Sequence, residues 1–360
     1  MIAPRPHVAA MAPYALADLA VALGMPPISL AQNESASPPS PRAIAAARAA
    51  MGSARFYPDP HWTDLVAAIA RVHRVPAAQV LCGAGSMELI DALVRAYAGP
   101  GEEVLASAHA YGFFRTAAAA AGATYVAAPA VELAASVNSL LAAVTPRTRI
   151  VCLDNPGNPT GVRLGRDEIV RLREGLPRHA ILLLDEAYAE FSGAEEPTFD
   201  LVGRGDTVVL RTFSKAYCLA GMRVGWGLFP PAIGVEVRKL VEPNNLGIAS
   251  QAAAAAALDD QAYMRSVVAE TVARRDRFAA RLRALGLDVP ASHTNFVLIR
   301  FANASAARGA DRALRAEGIV LRGMAGYGLG HCLRATIGTE EQMTLAGDVL
   351  ARWLRSDAGH

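Results

Sequence analysis

Apolar and polar positions along this chain fall into two alternating rhythms. Short apolar runs read as strands: Val80-Leu-Cys, Glu103-Val-Leu-Ala, Thr124-Tyr-Val-Ala, Ile150-Val-Cys-Leu, Ile181-Leu-Leu-Leu, Val208-Val-Leu and Val224-Gly-Trp-Gly-Leu-Phe. Segments of helical spacing lie among them, including Pro41 to Met51 and about Met87 to Ala98. Near-continuous apolar strands separated by helices imply a sheet buried on both faces, largely parallel, in an α/β fold. After Pro243 the rhythm changes. Helices are expected over Ser250 to Leu258 and about Ala262 to Leu285. A smaller α+β unit follows, with strands at Phe296–Arg300, Ile319–Arg322 and Cys332–Ile337 and a helix near Ser305 to Glu317. Thr339-Glu-Glu-Gln342 fits a capping box that opens the last helix. The first forty residues read as irregular, broken at Pro26-Pro27 and Pro38-Pro39.

At 360 residues the chain is too long for one small core. A formal charge of +2, spread along the sequence, argues against nucleic acid or an anionic membrane as the main partner. The longest apolar stretches are far shorter than a membrane span. The opening Met1-Ile-Ala-Pro-Arg-Pro-His has no continuous apolar core of the secretory type, so the cytoplasm is the expected compartment. Cys82, Cys152, Cys218 and Cys332 are widely spaced and read as buried free thiols. Neither they nor the eight histidines have metal-site spacing, and no metal is expected.

One feature of the charge pattern carries chemistry. Of 35 basic residues only Lys215 and Lys239 are lysines. A lysine kept in an arginine-rich chain suggests work that a guanidinium cannot do, such as forming a Schiff base with an aldehyde. Lys239, in Val237-Arg-Lys-Leu-Val, reads as a surface charge, whereas Lys215 in Arg211-Thr-Phe-Ser-Lys-Ala reads as the anchor for pyridoxal phosphate. That cofactor makes further demands. Its ring nitrogen needs a carboxylate, and Asp185 closes an apolar strand at the edge where α/β sheets meet ligands. Its phenolic oxygen needs neutral donors, for which Tyr188 and Asn158 are placed. Its phosphate needs backbone amides at a helix start, with cation and hydroxyl donors. Gly83-Ala-Gly-Ser86, Ser214 and Arg223 offer these. Each signal alone is weak, since glycine-rich turns are usually only turns and strand-ending aspartates usually only cap. Their order and spacing carry the weight.

Asn155-Pro-Gly-Asn-Pro-Thr-Gly161, then Asp185-Glu-Ala-Tyr188, then Ser214-Lys215 with Arg223, resembles the fold-type I, class I/II aminotransferases. The likeness runs from about Tyr14 to the final helix. Within the class it is most similar to histidinol-phosphate aminotransferases, on Ala12-Pro-Tyr14, Asn33-Glu34, Tyr57-Pro-Asp-Pro60, Tyr111-Gly-Phe, Gly318-Ile-Val-Leu-Arg322, Gly326-Tyr-Gly-Leu and Leu333-Arg334-Ala-Thr-Ile-Gly. It departs from the class at Ser35-Ala36, Met87 and Asn244, near the substrate side or its supports.

The resemblance implies an N-terminal segment over 1–35, a large cofactor-binding domain over 36–260 with a mostly parallel central sheet, and a small α+β domain over 261–360. It implies Lys215, Asp185 and Tyr188 as catalytic residues, and Gly85, Ser86 and Thr212 as further cofactor contacts. Tyr111 would stack on the cofactor ring, and Tyr57 would reach the cofactor phosphate of a second subunit in a homodimer. Arg334 would bind the substrate carboxylate, with Tyr14, Asn33, Asn158 and Arg322 around it. The implied reaction is ping-pong transamination between an amino donor and 2-oxoglutarate. Histidinol phosphate is the first candidate donor, giving imidazole acetol phosphate and glutamate in histidine biosynthesis. An aromatic amino acid is the next candidate. A decarboxylase of the threonine-phosphate type is the alternative of another class.

Overall fold

The computed structural model describes residues 2–14, 16–21, 24, 26–193 and 198–357. Among them twelve strands form: β1 (Ile28–Ser29), β2 (Val80–Ala84), β3 (Glu103–Ser107), β4 (Thr124–Ala128), β5 (Thr148–Asp154), β6 (Ile181–Asp185), β7 (Thr207–Thr212), β8 (Val224–Leu228), β9 (Phe296–Arg300), β10 (Ile319–Val320), β11 (Arg322–Gly323) and β12 (Cys332–Thr336). The helices are α1 (Pro6–Ala9), α2 (Pro41–Ala50), α3 (Thr63–His73), α4 (Ser86–Tyr97), α5 (Phe113–Ala120), α6 (Val137–Ala143), α7 (Arg166–Gly175), α8 (Pro231–Arg238), α9 (Ile248–Leu258), α10 (Gln261–Ala284), α11 (Ala304–Ala316) and α12 (Glu340–Asp357).

The apolar runs of the first two-thirds of the chain assemble into one seven-stranded sheet of order β2-β8-β7-β6-β5-β3-β4. β7, β6, β5, β3 and β4 run parallel to one another, whereas β8 runs antiparallel to both β7 and β2. Every residue of β3, β6, β7 and β8 is buried, as expected for strands covered on both faces. Register then fixes the site. Asp154 and Asp185, the last residues of β5 and β6, lie directly opposite one another at the carboxyl edge of the sheet. β8 carries glycine at 225 because the start of α4 presses against it. A Cβ on Gly225 would fall 2.5 Å from the Gly85 carbonyl carbon.

A second, smaller core gathers Leu282, Val297, Ile299, Leu314, Leu333 and Leu350 around the three-stranded antiparallel sheet β11-β12-β9. The capping box at its last helix is formed: Thr339 N–H donates to Gln342 Oε1 (2.9 Å) and Gln342 N–H to Thr339 Oγ1 (3.3 Å). Two expectations need correction. Ile319–Arg322 is not one strand but two, β10 and β11, which pair with different sheets. The first forty residues are not wholly irregular either, because β1 pairs in parallel with β10 and Leu30 enters the smaller core. One cause underlies both. The partner of β10 comes from the far end of the chain, and local periodicity carries no sign of it.

Candidate active site

The carboxyl edge of the large sheet opens onto a cavity of about 550 Å³. Its walls bring together thirteen residues singled out from sequence: Tyr14, Asn33, Ser86, Tyr111, Asn158, Asp185, Tyr188, Thr212, Ser214, Lys215, Arg223, Arg322 and Arg334. Gly85 stands just outside the lining as the residue before α4, at φ +77°, where glycine is favoured. Tyr57 is not brought there. It is 88% exposed, beside the exposed Phe56 and Met51.

Asp185 is held at the end of five consecutive buried residues, and its Oδ1 accepts the Ala187 N–H (3.1 Å). Burial, and after it the Asp154 carboxylate, pushes its pKa up to about 7. A carboxyl so placed favours a cationic partner that would restore its charge. Lys215 follows β7, and its Nζ donates to the Asn33 carbonyl (2.9 Å). Burial first, then the Arg334 cation, pulls its pKa down to about 7, so much of the amine is unprotonated near neutrality. That is the state a nucleophilic lysine needs.

Tyr188 lies 5.8 Å from Lys215 Nζ by its ring centroid, and its hydroxyl accepts from Asn33 Nδ2 (2.7 Å). Asn158 Oδ1 accepts from Arg334 Nη1, which leaves the amide NH₂ of Asn158 as the donor end. Arg334 also donates to the Ala31 carbonyl (2.8 Å), while its buried Nε has no partner. A guanidinium in the cavity wall suits an anionic ligand. Arg322 stands directly across from Arg334 in the β11–β12 ladder, so two guanidinium groups share one wall. Tyr111 is kept neutral, its hydroxyl pKa raised chiefly by burial.

At the opposite end, α4 begins at Ser86. Ser214 Oγ accepts from Thr212 Oγ1 (3.0 Å) and lies 3.5 Å from Arg223 Nη1. A Cβ on Gly85 would come within 2.5 Å of Arg223 Nη2, so a side chain there would fill this cradle. Helix amides, two hydroxyls and a guanidinium fit a phosphate. An amine, a buried carboxyl and neutral donors at the other end match the rest of pyridoxal phosphate.

Sequence reasoning missed Asp154 as a lining residue and gave Tyr327 no role, while Met87, noted as a departure, does line the cavity. Asp154 carried the same signal as Asp185, an aspartate ending an apolar strand. The departing Asn244 sits at φ +59°, while Asn245 beside it accepts from Trp62 Nε1 (3.0 Å) and donates to Glu88 (2.6 Å).

Comparison with known proteins decides the family. The model of aminotransferase class I and II matches residues 26–350. The chain belongs to that family. Among class I and II aminotransferases it is 44% identical to the histidinol-phosphate aminotransferase of Paramagnetospirillum magneticum over 348 residues, 95% of this chain and 96% of that one. It is also 44% identical to the enzyme of that name from Rhodospirillum centenum, over 98% of each chain. The crystal structure of histidinol-phosphate aminotransferase from Sinorhizobium meliloti, in complex with pyridoxal 5'-phosphate, superposes with a TM-score of 0.87. It is 31% identical and covers 92% of each chain. The fold-type I architecture expected from the aminotransferase resemblance is therefore the one observed.

Proposed function

We propose that this aminotransferase binds pyridoxal phosphate and transfers the amino group of histidinol phosphate to 2-oxoglutarate. The observation that carries the reading is one cavity holding a near-neutral lysine amine, a buried carboxyl and a pair of guanidinium groups. Relatives 44% identical over nearly their full length bear the name of that activity, which supports the choice of donor.

When bound, the cofactor supplies an aldehyde that captures the donor amine and a ring that accepts electrons released at the donor's α-carbon. The chain does the rest. Lys215 Nζ would hold the group and serve as the general base for the α-carbon proton. Asp185, ionised against the ring nitrogen, keeps that nitrogen protonated. Tyr188 and Asn158 Nδ2 donate to the phenolic oxygen. Tyr111 would cover the ring face, and Gly85, Ser86, Thr212, Ser214 and Arg223 would hold the phosphate. Arg334 binds the carboxylate of glutamate or 2-oxoglutarate as a two-pronged donor, with Arg322, Tyr14 and Asn33 around the donor's anionic end. The exposed Met51, Phe56 and Tyr57 support a homodimer in which Tyr57 completes the second subunit's phosphate site. The division into 1–35, 36–260 and 261–360 belongs to the same proposal. Among the described residues no helix is long and apolar enough to cross a membrane.

The test is a titration of the holoprotein, followed by its visible absorbance, with L-histidinol phosphate, L-phenylalanine and L-glutamate separately. Bleaching by histidinol phosphate at the lowest concentration, with recovery on adding 2-oxoglutarate, is the expected result. Carbon dioxide release without need of a 2-oxo acid would overturn it in favour of a decarboxylase.

A further inference from the structure

Asp154 is a buried acid in the wall of the cavity that none of the roles above uses. It ends β5 directly opposite Asp185, and no ion pair holds it among the described residues. Two carboxyls side by side at a buried strand edge oppose each other's ionisation, and each loses solvation. An aspartate is tolerated there only if its oxygens are well used. The hydrogen bonds say what the use is. Asp154 Oδ2 accepts the backbone N–H of Asn158 at 2.6 Å, a short bond of the charge-assisted kind. Burial raises the Asp154 pKa to about 6, and the Asn158 N–H, with the Tyr111 N–H that faces the same carboxyl, pulls the other way.

These two donors come from different crossovers of the sheet. Asn158 sits in the loop after β5, and Tyr111 in the turn between β3 and α5. Apart from Asp154, the loop after β5 closes on itself, Gly157 N–H donating to the Val162 carbonyl (2.9 Å), and is tied to its surroundings at Gly161, whose carbonyl accepts from the His293 N–H (2.8 Å), and at Asn155. Its N–H donates to the Asp185 carbonyl (2.9 Å), and its side chain exchanges bonds with Leu164 (2.7 and 3.1 Å). None of those bonds reaches Tyr111 or the Asn158 backbone.

We propose that Asp154 is a positioning residue: its carboxylate holds the Asn158 backbone, with the Tyr111 N–H facing it, and sets the Asn158 side chain in register with Asp185. This rests on the proposed function, because the group it aligns is one that would contact pyridoxal phosphate. Asn158 Oδ1 is committed to Arg334, so a small rotation of the Asn158 backbone moves the cofactor's donor and the substrate's guanidinium together.

The experiment compares parent, Asp154→Ala and Asp154→Asn. The dissociation constant of pyridoxal phosphate from each apoprotein is read by protein fluorescence. The single-turnover rate with saturating L-glutamate is read in each holoprotein, and folding is checked by far-ultraviolet circular dichroism. Losing a buried charge-assisted bond should weaken cofactor binding roughly ten- to a hundredfold in Asp154→Ala. The asparagine keeps an acceptor oxygen and should bind within about fivefold of the parent. A merely structural aspartate would not give cofactor affinity that asparagine restores. An alanine variant that binds within twofold of the parent (about 0.4 kcal/mol) overturns the proposal, and so does an asparagine variant as weak as alanine. If the alanine variant does not fold, loss of affinity in the asparagine variant alone overturns it. A parent that binds no pyridoxal phosphate would instead overturn the functional reading on which this one rests.

Discussion

Lys215 Nζ donates a 2.9 Å hydrogen bond to the carbonyl of Asn33, 182 positions earlier in the chain. Asn33 sits at φ +55° and is buried. Its side-chain amide donates to the Tyr188 hydroxyl (2.7 Å), and its N–H to Thr336 Oγ1 (2.9 Å). One residue of the first forty thus joins Lys215, Tyr188 and the smaller sheet.

From that junction follows a pair of variants. Asn33→Ala loses the bond to Tyr188 and places a Cβ-bearing residue without a local polar group in the left-handed region. The two losses together should cost about 2–3 kcal/mol. Asn33→Gly relieves the backbone part and should lie between parent and alanine. Urea unfolding of the cofactor-free protein measures both. Equal stability of the two variants would remove the backbone part of the argument.

The amine of Lys215 gives a pH signature. Its pKa falls from 10.5 in an ordinary lysine to about 7, chiefly by burial. Trapping of pyridoxal phosphate on the apoprotein with cyanoborohydride should therefore quicken through pH 7 and then level off. A rate still climbing towards 10.5 would show an ordinary amine. The stability linkage has a definite sign. Between about 7 and 10.5 the unfolded chain holds a proton that the folded one lacks, so stability rises with pH across that window. Lys215→Met removes this slope and should stabilise the cofactor-free protein most at the acid end of the window.

Asp185 behaves in the opposite sense. Its pKa is raised from 3.8 to about 7, so the folded chain holds the extra proton. The resulting stability is full below 3.8 and is lost as pH rises through about 7. Asp185→Asn keeps a neutral amide and should melt higher than the parent above pH 7, as cofactor-free protein. The same change removes the anion that would face the ring nitrogen, and turnover should fall about 10²–10³-fold. A variant that is more stable and nearly inactive is the expected outcome. A variant with full activity would dismiss the role of Asp185.

The sheet and its site were legible because both are written locally. Ile181 to Asp185 is an apolar run with a charge at its end, and the buried strand with its exposed edge follows directly. Ser214-Lys215 and Arg223 flank a turn between adjacent strands, so they had to meet. The pairing of Ile28 with Ile319 was not legible, because each strand is two residues long and the partners lie at opposite ends of the chain. Asn33 was expected around the substrate, and it lines the cavity. Its bonds to Lys215 and Tyr188 depend on a left-handed turn that no spacing announces. Asp154 was legible and overlooked: the signature that marked Asp185 occurs one strand away.

Behind Asp185 the next residue enters a buried ion cluster whose balance is unequal. Arg211 pairs with Glu186 (2.7 Å) and Glu190 (3.2 Å), and Glu186 also accepts from Thr198 Oγ1 (2.5 Å). The Phe199 ring lies 5.1 Å from the guanidinium. Two carboxylates thus share one cation. Arg211→Met would leave both acids buried without it and should cost about 3–5 kcal/mol. Glu190→Gln leaves a one-to-one pair and should change stability by less than about 1 kcal/mol. The Glu190 pKa is raised, burial outweighing the pull of Arg211. Its contribution to stability is therefore present in acid and lost as pH rises through its folded pKa, and Glu190→Gln should flatten that decline. Denaturant midpoints of the three proteins across the acid-to-neutral range test the account. If Arg211→Met proves as stable as Glu190→Gln, the cluster is not what holds the segment from Asp185 to Tyr188 in place.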